Sequence, residues 1–155
     1  MPRVDSTEPR LPGWVNPASR VIIALQRLGL GFLSFYVLRI PGRRSGVMRA
    51  TVVSPFTVEG HRYVLSFGHL EWVRNAQAAG WGLLSRGHKQ IRVNLVEVKP
   101  PASAPIAGVF PRQIPAGVQF FIGLGLVESP GTPEQFQAAA ERLTLFRLDP
   151  TEATD

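Results

Sequence analysis

Cysteine is absent from the 155 residues, which excludes disulfides, thiolate nucleophiles and Cys-ligated metal centres and leaves the fold indifferent to redox compartment. Histidine is scarce. His61, His69 and His88 each fall in or beside a predicted turn, with no HxH or HExxH spacing to converge on a metal. Such isolated polar turn residues are expected at the surface. Charged residues form only 18% of the chain, and 11 acidic residues face 17 Lys and Arg. The acids are scattered, so no pair suggests a glycosidase or aspartyl dyad. A G-x-S-x-G elbow, a Walker loop and a G-x-G-x-x-G between strand and helix are all missing, which removes support for conventional hydrolase, kinase and Rossmann readings. Long hydrophobic runs are missing too. Residues 21–25 and 28–38 are apolar but broken by Gln26, Arg27, Gly29, Gly31 and Ser34, short of the roughly 20 residues of a membrane span. No secretion signal is read at the N-terminus, so the cytoplasm is the expected compartment, with a peripheral membrane contact through this segment left open.

What is present suits one domain. The length allows a core that buries about two-thirds of the unfolded surface, and 45% hydrophobic residues exclude a disordered chain. Residues 1–16 read as a flexible, polar N-terminal arm, and residues 17–150 as the folded domain. The net charge of +6 implies an anionic partner: nucleic acid, a membrane surface or an acidic small molecule.

A helix is expected over residues 17–30, entered through Asn16-Pro17. Residues 35–40 then read as a strand, residues 47–54 as its hairpin partner, and Glu59-Gly60 as a second hairpin turn before a strand over 62–67. Residues 71–79 form a short helix with Trp72, Val73, Ala76 and Ala79 on one side and Gly80 as its stop. Another hairpin, over 83–86 and 90–98, turns at Gly87-His88. The stretch 99–115 holds five prolines and cannot be one continuous helix; it reads as a lid or wrap. Residues 117–126 are apolar, Thr132-Pro133-Glu134 opens a helix to about residue 143, and residues 145–148 make a final strand. Short strands at hairpin spacing favour a mainly β, α+β fold: a small antiparallel barrel with peripheral helices.

Between the first two strands lies Gly42-Arg43-Arg44-Ser45-Gly46, followed by Arg49. The glycines permit unusual backbone angles, Ser45 adds a hydroxyl and an amide, and three guanidiniums suit phosphate or carboxylate. A solvated basic hairpin turn is the plain alternative. Because no acid, base, nucleophile or metal set stands out, catalysis would fall to a bound cofactor that the protein orients. An anionic cofactor needs a cationic cradle, and a flat ring needs an apolar wall.

These residues, together with Arg62-Tyr63-Val64-Leu65-Ser66, Trp72-Val73-Arg74-Asn75-Ala76 and Ala79-Gly80, resemble the deazaflavin-dependent nitroreductase family. The likeness runs over residues 35–98, and the Pro-rich wrap ending in Leu145-Phe146-Arg147-Leu148 is similar as well. The resemblance implies a split β-barrel (FMN-binding-like) and an oxidoreductase. Its cofactor would be coenzyme F420, and hydride would pass from the reduced deazaflavin to an apolar, electron-poor acceptor such as a quinone, a nitro compound or an activated alkene. It further implies that Arg43, Arg44 and Arg49 bind the cofactor's phosphate and acidic tail, and that Ser45 and Gly46 add turn contacts. Ser66, Phe67 and Gly68 would form the loop beside the phosphate, and Trp72 and Asn75 would begin the helix that closes the site. Trp72 reads equally as a core anchor. Arg44 stands where many members carry lysine, and the tyrosines that line the pocket of quinone-reducing members have no match here. Phe120 and Phe121 are candidates to line the acceptor pocket, with ordinary core packing as the alternative. No catalytic residue is named.

Two other readings remain. A non-catalytic barrel would hold F420 or an apolar ligand such as a fatty acid. A nucleic-acid barrel would show exposed aromatics among its arginines, and Tyr36 and Tyr63 sit instead in apolar runs, so no nucleic-acid partner is expected. A homodimer is left open.

Overall fold

Tight turns dictate the sheet. The computed structural model describes residues 36–151; the expected arm over 1–16 and helix over 17–30 lie outside the described residues. Strand β1 (Tyr36–Pro41) pairs antiparallel with β2 (Met48–Val53), Tyr36 opposite Val53 and Pro41 opposite Met48. The short β3 (Phe56–Val58) turns into β4 (His61–Ser66) through Glu59 and Gly60, whose φ angles of 50° and 83° belong to the two-residue hairpin turn that matches strand twist. Helix α1 (Glu71–Ala79) ends at left-handed Gly80, whose N–H bonds to the Ala76 carbonyl at 2.8 Å. Strands β5 (Trp81–Arg86) and β6 (Lys89–Val98) turn at Gly87-His88, and β7 (Thr144–Pro150) closes the order β2-β1-β5-β6-β7-β4-β3. All pairings are antiparallel. The sheet curls into a half-barrel whose outer strands, β2 and β3, stay unjoined. That is the split-barrel, mainly β architecture.

The Pro-rich wrap is helical in pieces. Helices α2 (Ser103–Ala107), α3 (Phe110–Gln113) and α4 (Val118–Gly123) follow one another with a 3-10 turn over Pro115–Gly117. Helix α5 (Pro133–Ala138) starts as the sequence implies: Thr132 Oγ1 accepts from the Gln135 N–H, and Gln135 Oε1 accepts from the Thr132 N–H. It stops earlier than residue 143. A 3-10 turn over Ala140–Arg142 tightens the chain before Leu143 extends into β7.

Two cores lie on opposite faces of the sheet. Leu38, Ile40, Val64, Leu84, Val93, Phe146 and Leu148 pack with Val73 and Ala76 of α1. Phe56, Tyr63, Leu65 and Leu145 pack with Phe110, Phe121 and Phe136 of the short helices. Strands β4 and β7 therefore send alternate residues into both cores, which is why their sequences read as unbroken apolar runs. Where β5 runs beside β1, glycine is needed at position 82. A Cβ on Gly82 would stand 2.9 Å from the Arg39 carbonyl oxygen, 3.1 Å from Leu38 Cδ1 and 3.2 Å from Ile40 Cγ1. Gly82→Ala is expected to lower the urea midpoint, at a cost of about 1–3 kcal/mol for overpacking; an unchanged midpoint would show that the strands separate freely here.

Candidate functional site

The arginine turn joins β1 to β2. The Gly42 N–H donates to the Val47 carbonyl at 2.8 Å and the Gly46 N–H to the Gly42 carbonyl at 2.9 Å. Gly46 sits at φ 75°, the angle that lets the turn close. Ser45 Oγ accepts from the Val47 N–H at 3.1 Å, so its oxygen serves the turn and its proton remains as a donor. Gly42 leaves room for the base of the cradle, since an added Cβ would lie 3.3 Å from Arg49 Nε. Arg44 and Arg49 are exposed, and among the described residues neither has an ion-pair partner.

Arg43 differs from both. Helix α1 presents Glu71 and Asn75 four residues apart, on one face. Asn75 is 4% exposed, and its Oδ1 accepts both the Arg43 backbone N–H at 3.0 Å and Arg43 Nη1 at 2.8 Å. Glu71 Oε1 takes Nη2 at 2.9 Å. Gly42, Arg43, Arg44, Ser45, Arg49, Glu71 and Asn75 thus line one cleft of about 340 Å³. The hydrogen bond from Arg43 and then its charge hold the Glu71 carboxyl below the ordinary carboxylate range, and Arg74 and Arg44 add smaller effects. Because the folded-state value is depressed, the contribution of this exposed pair, small because solvent screens it, is present at neutral pH and is lost as pH falls through that depressed value.

An apolar pocket of about 150 Å³ lies on the other side of the same helical turn. Trp72, Leu70 and Ser66 wall it with Val52 and Val53 of β2 and with Phe110, Ile114, Gly117, Phe120 and Phe121. Phe121 is 3% exposed and sits among Phe110, Phe120 and Phe136 with ring centroids 5.3, 5.5 and 5.7 Å away. Phe120 is half-buried. Trp72 also packs on Phe146, centroids 6.0 Å apart, and so serves as a core anchor while facing the pocket.

The residues singled out in the sequence fall into three places. Arg43, Arg44, Ser45, Arg49 and Asn75 meet in the cleft, with Gly46 in the turn beneath them; Ser66, Trp72, Phe120 and Phe121 meet in the apolar pocket. Phe67 and Gly68 line a separate cleft with His69, Arg142 and Thr144. Glu71 was not among the residues singled out in the sequence; it opens α1, and its place opposite Arg43 has a signal in its spacing of four from Asn75. His61, His69 and His88 are exposed, and among the described residues no three His, Asp or Glu side chains gather as metal ligands. Arg62 and Arg86 lie 5.2 and 5.3 Å from the Tyr36 ring centre, and Arg92 lies 3.9 Å from that of Trp81. No helix among the described residues is long and apolar enough to cross a membrane.

No family model matches the chain, and no curated protein matches it. Solved structures do. A protein of unknown function from Agrobacterium tumefaciens is similar at a TM-score of 0.54 and 14% identity, over 92% of this chain and 60% of its own length. A nimc/nima family protein from Clostridium acetobutylicum is similar at 0.52 and 11%, over 86% of this chain and 79% of its own. An F420-H2 dependent reductase is similar at 0.48 and 13%, over 75% of this chain and 94% of its own. At these identities the likeness is one of fold.

Two measurements check the geometry of the clasp. Asn75→Ala strips the acceptor from two Arg43 donors and is expected to cost about 1–3 kcal/mol, as for a buried group left unpaired, whereas Asn75→Asp keeps the acceptor and should lose less; equal losses in thermal melts would refute the clasp. In an NMR titration the Glu71 carboxyl should ionise below the ordinary glutamate value of about 4.3, and Arg43→Ala should return it upward.

Proposed function

We propose that the chain is an F420-dependent oxidoreductase in which the arginine cleft anchors the anionic part of the cofactor and the apolar pocket receives a flat ring. One observation carries this reading: Glu71 and Asn75 face the cationic cleft while Trp72, their neighbour on the same turn of α1, faces the apolar pocket. A ligand with a charged tail and a flat ring is the chemistry that such adjacent surfaces suit.

Within this reading, Arg44 and Arg49 take the phosphate and acidic tail, and the Ser45 hydroxyl donates beside them. Arg43 acts through position, fixing the turn against α1. Trp72 sets the plane of the ring, Phe120 contacts the acceptor at the rim, and Ser54 and Ser66 supply hydroxyls at the ends of the two strands that wall the pocket. An apolar cavity of about 150 Å³ holds a benzene-sized body. The pocket therefore grips one ring of a fused system or one ring of an acceptor at a time, and the partners meet at its mouth. Bound reduced F420 would supply the hydride. The protein's part is to orient and to exclude water, which a two-electron transfer can use without an acid at its centre.

Titration with F420, FMN and NADPH side by side tests the cofactor: F420 should bind and the other two far more weakly, and tighter FMN binding would overturn the assignment. Arg44→Ala and Arg49→Ala should each weaken F420 by about 1.5–3 kcal/mol, the range for hydrogen bonds to charged groups, with little change in melting temperature. Oxidation of reduced F420 by a quinone separates the enzyme from a carrier, which would bind without turnover.

The two phenylalanines should part company. Phe120→Ala should slow turnover of a bulky quinone and leave F420 affinity within about twofold, because only acceptor contacts are lost. Phe121→Ala should cost about 3–5 kcal/mol of stability, as for a buried ring. Identical effects from both variants would refute this division.

A further inference from the structure

We infer that Glu71 sets the charge that the arginine cleft selects, acting as a resident carboxylate that cancels Arg43 and leaves the site matched to a dianionic group. This rests on reading the cleft as an anion anchor, though not on which cofactor it anchors. Three guanidiniums and one carboxylate line the cleft. Glu71 Oε1 stands 2.9 Å from Arg43 Nη2, and Asn75 holds the opposite edge of the same guanidinium. Arg43 is thereby occupied on both sides by α1, and Arg44 and Arg49 remain as the free forks. Two free cations balance a phosphomonoester, which carries about −1.5 to −2 at neutral pH, or a phosphodiester with a neighbouring carboxylate.

Glu71 is dispensable for holding the turn, because Asn75 alone accepts two bonds from Arg43. With 76% of its side chain exposed, it adds little packing. Its charge, by contrast, faces any anion in the cleft, and repulsion between like charges grows with the charge on the ligand. Glu71 thus weakens binding of highly charged anions more than of singly or doubly charged ones, and so acts as a specificity-determining residue.

Glu71→Gln tests this, since the amide oxygen still faces Nη2 while the charge is gone. Binding of inorganic phosphate and pyrophosphate to the full chain is measured by calorimetry at low salt for wild type and variant, with thermal melts alongside. The variant should melt normally and bind phosphate about threefold and pyrophosphate about tenfold more tightly, a difference that shrinks at high salt as exposed charges are screened. Glu71→Ala should shift both in the same direction. Unchanged or weaker binding in both variants, or an equal gain for the two anions, would overturn the inference while leaving the anion anchor intact. Failure of every protein to bind either anion would overturn both. Pyrophosphate binding that responds to Glu71 in a chain that ignores F420 would keep the inference and remove the cofactor.

Discussion

The Asn75 carboxamide oxygen is the point on which the site's geometry hangs. It is buried, neutral and shared between two donors of one residue, the Arg43 backbone N–H and its Nη1. A buried acceptor without partners would be costly, and so would a buried N–H; each satisfies the other here. Because one donor is main chain, the bond fixes where the turn runs as well as where a side chain points. The β1–β2 turn cannot drift from α1 without exposing this pair. Everything else follows from helical spacing: Glu71 shares the face of Asn75, and Trp72 is rotated off it toward the apolar side.

That helix is itself placed by the sheet. Val73 and Ala76 seal one core, so α1 has no freedom to rotate. The second core, built on the other face from Phe56, Tyr63, Leu65 and Leu145, fixes the short helices that carry Phe110 and Phe120 to the pocket rim. The site's two halves are held by different cores. Its cationic half depends on the face of the sheet that carries α1, and the ring contacts from Phe110, Phe120 and Phe121 depend on the other.

Local features were legible in the sequence and long-range ones were not. The Glu59-Gly60 and Gly87-His88 turns, the Gly80 stop and the Thr132 start are each decided by a few adjacent residues, and the structure places them as read. The pairing of β4 with β7 joins segments some 80 residues apart, and nothing in either apolar run names its partner. The three arginines looked equivalent because their difference comes from Asn75, 32 positions from Arg43. Ser66 and Phe67 were grouped in one loop, yet Ser66 lines the apolar pocket and Phe67 the separate cleft. The alternation of a strand end foreshadows that split.

Adjacent residues with opposite duties recur at this site. Glu71 and Trp72 divide the cationic cleft from the apolar pocket, and Phe121 is core where Phe120 is rim. The cause is common to both: successive residues on a helix point about 100° apart, so one turn placed at the border of a core must show one side chain to each environment. A ligand that is charged at one end and flat and apolar at the other meets such a border along its length. In the proposed reading the arginine turn would supply the charge, the border made by α1 would orient the ligand, and the Asn75 clasp holds the two surfaces in register.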